Sequence, residues 1–161
     1  MSELTTPQRE FRAAMANLSA AVSVITTDGP HGRAGLTVSA ACAVTDAPPT
    51  MLVCVNRSSR SHDILVANGR ACVNVLGADH EALATRFAGA VPPAERFSEG
   101  AWDVDTDGVP VLRGALASVV GRIVDERAQG SHSVLFVEVD KVTTEEDSGA
   151  LVYFQRRFHN L

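Results

Sequence analysis

Apolar and polar positions change period along the chain, and each change marks an element. In TTPQREFRAAMANL, residues 5–18, Phe11, Met15 and Leu18 recur at helical spacing, with Thr6 placed to cap and Pro7 in the first turn. AAVSVITTD then alternates, with Val22, Val24 and Thr26 on one side, which predicts a half-buried strand. DGPHG is a turn, and a strand follows from Arg33 to about Val44. TDAPPT is a second turn, and MLVCV a fully buried strand. SSRSHDILVAN predicts a short serine-capped helix stopped near Gly69, and RACVNVL a strand. A capped helix runs from Asp79 to about Gly89, and a long loop containing Trp102 runs from Ala90 to Pro110. Three apolar strand regions close the chain: VLRGALASVVGRIVDE, SHSVLFVEVDKV and ALVYFQRRF.

Six or seven closely spaced strands with three small helices describe a mainly β protein. The strands do not alternate regularly with helices, so a doubly wound parallel sheet is disfavoured. An antiparallel barrel, closed or partly open, fits. At 161 residues the expectation is one domain, 1–161.

Composition narrows the function. The net charge of −5 disfavours nucleic acid and anionic membrane as partners. Cys42, Cys54 and Cys72 form an odd set without a C-x-x-C and lie in apolar runs, which reads as buried free thiols in a reducing compartment. The polar N-terminus is no secretory leader, and the longest apolar run is too short for a membrane helix, so a soluble cytoplasmic protein is expected.

Dinucleotide, Walker and G-x-S-x-G signatures are missing. Ser131 and His132, read as neighbours on a strand, would point to opposite faces and could not form a nucleophile and its base. The five histidines lack metal-ligand spacing, and Asp79–Glu81 reads as a helix start, so no metal is expected. What stands out is a set of small polar residues in or beside apolar strands: Thr37, Ser39, Asn56, Ser58 and Ser59. On spacing alone, Thr37 and Ser39 are β-formers facing solvent and NRSS caps a helix.

Taken together, FRAAMANLSAAVSVITTDG, GLTVSAACAVTDAPPTMLVCVN, ACVNVL, RFAG, ERFS, VLRGALAS, GSH and LVYFQRRFH resemble the flavin reductase family, from about Phe11 onward. The branch most similar serves as reductase components of 4-hydroxyphenylacetate 3-monooxygenases; flavin reductases of the uracil pathway share a similar pattern. The resemblance implies an FMN-binding split barrel of Greek-key antiparallel type, usually a homodimer. It implies reduction of FAD or FMN by NADH, and release of reduced flavin to a separate oxygenase. A split barrel that binds flavin or haem without turnover is the alternative of another class. Where many relatives carry an acid or threonine before the equivalent histidine, this chain has Ser131.

The resemblance also implies a site. Gly35, Leu36, Thr37, Val38 and Ser39 would meet the flavin ring, with Gly35 permitting close approach. Cys54 and Val55 would touch it through main chain. Asn56, Ser59, Arg60 and Ser61, beside Arg57 and Ser58, would hold the ribityl phosphate at a helix start. Arg86 and Phe87 would lie toward the phosphate or adenine, although Phe87 also reads as helix core. For NADH the resemblance implies His132, Tyr153, Arg157 and His159; His132 also reads as a capped strand-end residue. No side chain is required as acid or base, because flavin and nicotinamide carry the hydride chemistry.

Overall fold

The computed structural model describes residues 2–146 and 148–161. Its main sheet holds β2 (Ser23–Thr27), β3 (Ala34–Val38), β4 (Ala41–Asp46), β5 (Pro49–Asn56), β6 (Arg70–Val75), β9 (Ala117–Gln129) and β10 (His132–Thr144). The order is β3-β2-β6-β9-β10-β5-β4, with every neighbouring pair antiparallel. The sheet coils around an apolar interior but leaves β3 and β4 as edges, which is the split barrel the chain resembles. A small sheet of β1 (Ala20–Ala21), β11 (Leu151–Phe154) and β12 (Arg157–Asn160) lies beside it, and β7 (Trp102–Val104) pairs with β8 (Pro110–Leu112). The helices are α1 (Thr6–Met15), α2 (His62–Asn68) and α3 (Glu81–Ala88). No described helix is long and apolar enough to cross a membrane.

Several local expectations are corrected. β2 is buried at every position rather than on alternate ones. Ile25 packs inside the barrel with Val53, Leu65, Val73 and Leu135, while Val24 packs outside it with Leu76, Phe87 and Leu151. The single strand expected from Arg33 to Val44 is two, broken at Ser39–Ala40, because β3 pairs with β2 and β4 crosses to the opposite edge beside β5. Only Val53 and Val55 of β5 are fully buried, since its other face is the barrel exterior. That exterior leaves Cys42 exposed and Cys54 half-buried; only Cys72 is a buried thiol. The terminal strand is a hairpin, turned at Gln155 and Arg156, both at positive φ.

α1 is capped by Thr5, not Thr6: the amide of Gln8 donates to the Thr5 hydroxyl and the amide of Thr5 to the Gln8 side chain. Its apolar stripe is not buried, with Phe11 64% and Leu18 65% exposed. Gly69 ends α2 in the left-handed conformation, as expected.

A 3-10 turn, Ala78–His80, precedes α3, and there the amide of Gly77 donates to Nδ1 of His80 at 3.0 Å. That bond needs an unprotonated nitrogen, and burial holds the His80 imidazole below its usual range against the opposing pull of Asp79. The depressed value makes His80 stabilising above the unfolded histidine range and progressively less so as pH falls through the folded one. Wild-type thermal midpoints are therefore expected to fall more steeply between pH 7 and pH 5 than those of His80→Gln, whose amide oxygen accepts the same bond without titrating. Parallel slopes would show that His80 does not contribute to acid sensitivity.

Candidate active site

Ser61 precedes α2 and is 1% exposed. Its hydroxyl donates to the carbonyl of Gly35 at 3.0 Å, and Nη1 of Arg96 donates to the same carbonyl at 2.7 Å. One buried carbonyl thus joins β3, the loop Asn56–Ser61 and the segment after α3. Around this node opens a cavity of about 380 Å³, lined by Leu36 and Thr37 of β3, Asn56, Ser58, Ser59 and Arg60 of the loop, Phe87–Ala90, and Arg96.

Arg96 sits in a 3-10 turn, Pro93–Ser98, and is 6% exposed. Besides Gly35 it donates to the carbonyls of Phe87 (2.8 Å), Gly89 (2.9 Å) and Val91 (2.8 Å). These are carbonyls at and just past the end of α3, which the helix itself leaves without donors. Burial, then the nearby Arg60 charge, pull its guanidinium below the usual arginine range. Arg60 is exposed and donates to the carbonyl of Ala90 at 2.7 Å. Two guanidinium groups near enough to repel therefore flank hydroxyls and an amide in a chain of net charge −5. An anion between them would relieve that repulsion, and the donor set fits a phosphate.

A second cavity, about 620 Å³, shares Asn56 and Ser58 with the first and is completed by Arg57, His62, Asp63, Glu126 and Ser131. His132 begins β10 at this rim, and its Cα partner across the ladder is Asn56. The hydroxyl of Ser131 lies 2.8 Å from Nδ1 of His132. Ser131 belongs to the preceding turn rather than to the strand, so the two side chains do meet, contrary to the strand-based expectation.

The expected site residues thus divide. Leu36, Thr37, Asn56, Ser59, Arg60 and Phe87 line one cavity, with His132 at the adjoining rim. Thr37 also donates to the carbonyl of Ala84 at 2.6 Å. Gly35 is buried, and a Cβ there would lie 2.8 Å from the Phe87 ring, so its smallness makes room for Phe87 rather than for a ligand. Phe87 is 0% exposed and packs edge-on against Phe97 and at a tilt against Trp102, which is the helix-core reading. Val38 and Val55 belong to the barrel core, and Ser61 is hidden behind the loop. Cys54 projects from the exterior face of β5, on the side opposite Val55, where burial and then Cys42 raise its thiol above the usual range. Arg86 spends its guanidinium on the carbonyls of Glu95 and Arg96 and the hydroxyl of Ser98.

Ser39 and Tyr153 line a groove under α1, beside Phe11, Met15 and Arg156. His159 lines another hollow beside β1, with Nε2 3.1 Å from the carbonyl of Phe154. Arg157 starts β12 on the same small sheet. None of Tyr153, Arg157 and His159 lines the two cavities at the β5–β10 rim.

Sequence reasoning assigned no role to Arg96 or His62. Two Arg-Phe pairs, Arg86-Phe87 and Arg96-Phe97, stand ten residues apart, and the sequence alone does not distinguish them. The available signal was the end of α3 at Gly89, whose loose carbonyls require a donor from nearby sequence.

The flavin reductase like domain matches residues 15–161. The chain belongs to the flavin reductase family. The reductase component of 4-hydroxyphenylacetate 3-monooxygenase of Pseudomonas aeruginosa is 50% identical, over all of this chain and 96% of that protein. FMN reductase (NADH) RutF of Ancylobacter novellus is 49% identical, over 94% of this flavin reductase family member and 84% of the relative. Among solved structures, the NADH:FAD oxidoreductase SgcE6 of Streptomyces globisporus, in complex with NAD and FAD fragments, superimposes with a TM-score of 0.89. It is 26% identical, over 99% of this chain and 97% of that one.

Proposed function

We propose that this flavin reductase uses NADH to reduce FAD or FMN and hands the reduced flavin to a separate oxygenase that hydroxylates an aromatic substrate of the 4-hydroxyphenylacetate type. The NADH:flavin oxidoreductase activity follows from family membership and from the names its relatives carry. The single observation that carries the site is the cavity flanked by Arg60 and Arg96 and lined by Asn56, Ser58 and Ser59. In this reading the phosphate-bearing arm of the flavin lies there and the ring lies over the rim near Thr37 and Asn56. Flavin and nicotinamide supply the hydride chemistry when bound. The residues supply position: Arg60 and the serine hydroxyls hold the anion, and Ser131 fixes the ring of His132 through Nδ1, leaving Nε2 to orient the nicotinamide carboxamide.

A homodimer is part of the proposal. The exterior of β4, β5 and β10 leaves Val44 exposed and Leu52, Cys54, Val134 and Phe136 only partly covered, and β4 is an open edge. Such a face calls for cover. Light scattering at micromolar concentration should give twice the chain mass; an active monomer would refute it. The free thiols at Cys42, Cys54 and Cys72 suit the cytoplasmic setting we assign.

Mixing protein, NADH and FAD should bleach the 340 nm absorbance, and a silent mixture would leave only a flavin-binding role. Coupling to purified oxygenases then separates the aromatic partner from a pyrimidine one. The second reading is favoured by the FMN reductase (NADH) RutF relatives at 48–50% identity. For the phosphate contact, Arg60→Gln is expected to weaken FMN and FAD by about 1.5 kcal/mol, roughly tenfold, and to leave riboflavin unchanged. Equal losses for riboflavin and FMN would assign Arg60 to the fold through its bond to Ala90.

A further inference from the structure

The groove under α1 takes no part in the two cavities at the β5–β10 rim. It encloses about 570 Å³, and its lining includes Phe11, Arg12 and Met15 of α1, Ser39 just past β3, Tyr153 of β11 and Arg156. Phe11, Met15 and Tyr153 leave an exposed, partly aromatic surface there. Arg9, also on the groove, commits its guanidinium to the carbonyl of Leu4 and the hydroxyl of Thr6. The side chains of Arg12 and Arg156 make no hydrogen bond or ion pair among the described residues.

Arg156 is held at the groove by an unusual turn. Gln155 and Arg156 join β11 to β12 at φ of 50° and 62°. Glycine and asparagine suit two such positions in a hairpin, yet two long polar side chains stand there. The end of α1 fixes the turn from outside: the amide of Gln155 donates to the carbonyl of Ala16 at 2.7 Å, and its side chain to Asn17 at 3.1 Å. Helix and turn thus bring two uncommitted guanidinium groups to one groove.

An apolar, aromatic lining with two such cations, in a chain of net charge −5, suits a phosphate-bearing molecule with a flat ring. NADH and FAD both answer, each through its AMP half. Position favours NADH. The flavin phosphate is assigned to the cavity between Arg60 and Arg96, and the adenosine of FAD must follow that phosphate. Ser39 stands two residues past Thr37, which lines the flavin cavity, so the groove lies within roughly 7 Å of chain from it. β3 is an edge of the sheet, and no further strand of that sheet lies beyond it. We propose that the AMP half of NADH lies in the groove under α1, with its pyrophosphate held by Arg12 and Arg156 and its adenine against Phe11 and Tyr153. The nicotinamide then reaches back past Ser39 to the flavin ring.

This placement rests on the reductase reading, with flavin in the Arg60–Arg96 cavity. Two hydride donors test it: NADH, and dihydronicotinamide riboside, which has the same reacting ring but neither phosphate nor adenine. Steady-state kinetics are measured at low salt with saturating FMN. Doubly substituted Arg12→Gln, Arg156→Gln is expected to raise KM for NADH about tenfold with kcat within twofold, since contacts remote from the reacting ring bind ground and transition states alike. Its KM for the riboside should match wild type. The Arg12→Lys, Arg156→Lys protein keeps both charges and should recover most of the affinity. FAD dissociation constants and the mass by light scattering should not change. An unchanged KM for NADH overturns the placement, as do equal losses with both donors. A changed mass would assign the groove to a second copy of the chain, and weakened FAD with unchanged NADH to the adenosine of the flavin; either result overturns it too. Failure of the wild type to reduce FMN with either donor overturns the reductase reading itself. Both arginines are exposed, so the variants are expected to fold.

Discussion

Methionine in place of Arg96 is expected to lower stability by about 3–5 kcal/mol, read from the urea midpoint, and to abolish measurable flavin binding. The side chain would still fill its space. What disappears is a buried guanidinium that donates to four carbonyls, those of Gly35, Phe87, Gly89 and Val91. Three of them lie at or past the end of α3, where no other described residue donates to them. Left without partners, they must pull toward water, and the cavity wall at Phe87–Ala90 goes with them. Arg96→Lys should recover less than half of the loss, because an ammonium cannot reach four acceptors in the plane of a fork. A loss below about 1 kcal/mol in Arg96→Met would mean that water substitutes for the guanidinium and that the wall does not depend on it.

Alanine at Gly121 should cost about as much, by a different route. Gly121 lies mid-way along β9, between β6 and β10, paired with Ala71 on one side and Val139 on the other. A Cβ there would overlap the carbonyl oxygen of Glu138 and lie 2.8 Å from its carbon, both backbone atoms of the neighbouring strand. No rotamer change relieves a clash with backbone. β9 and β10 already depart from regular register between Val139 and Lys141, so the glycine sits where the ribbon bends. The expected penalty is about 3 kcal/mol or more, and a thermal midpoint lower by roughly 6–12 °C. An unchanged midpoint would show that the ribbon can straighten at no cost.

The barrel strands and small helices were readable because each strand carries its own apolar signature and α2 and α3 their glycine stops, whereas neither the serine cap expected for α2 nor the capped start expected for α3 at Asp79 forms: Ser61 and His80 make no side-chain cap bond there. Gly69 after α2 is such a signal, and it ends the helix in the left-handed conformation. Errors came where partners decide. Arg33–Val44 reads as one continuous strand, and only the pairing of β3 with β2 and of β4 with β5 breaks it at Ser39. Thr5 and Thr6 are equivalent caps until the Gln8 amide and side chain choose between them. At the site, Asn56, Ser59 and Arg60 could be picked out as polar residues before a helix. Gly35 and Ser61 could not be separated from them, since a glycine that admits a phenyl ring and one that admits a ligand are the same letter. His62 was invisible because its partners Ser133 and Glu126 lie more than sixty residues away, brought near only by the β5–β10 ladder.

Trp102 is the chain's single tryptophan. Its indole donates to the carbonyl of Glu99 and packs against Phe97 and Phe87, with a ring separation of 5.5 Å from Phe87, itself a residue of the cavity wall. All indole emission therefore originates beside Phe87. An oxidised isoalloxazine absorbs in the region where indole emits, so under the reading proposed for the cavity its arrival should dim the protein's own light and its departure restore it. Under that reading the molecule carries its own optical gauge, and stopped-flow traces at one wavelength should time the binding of oxidised flavin without any label.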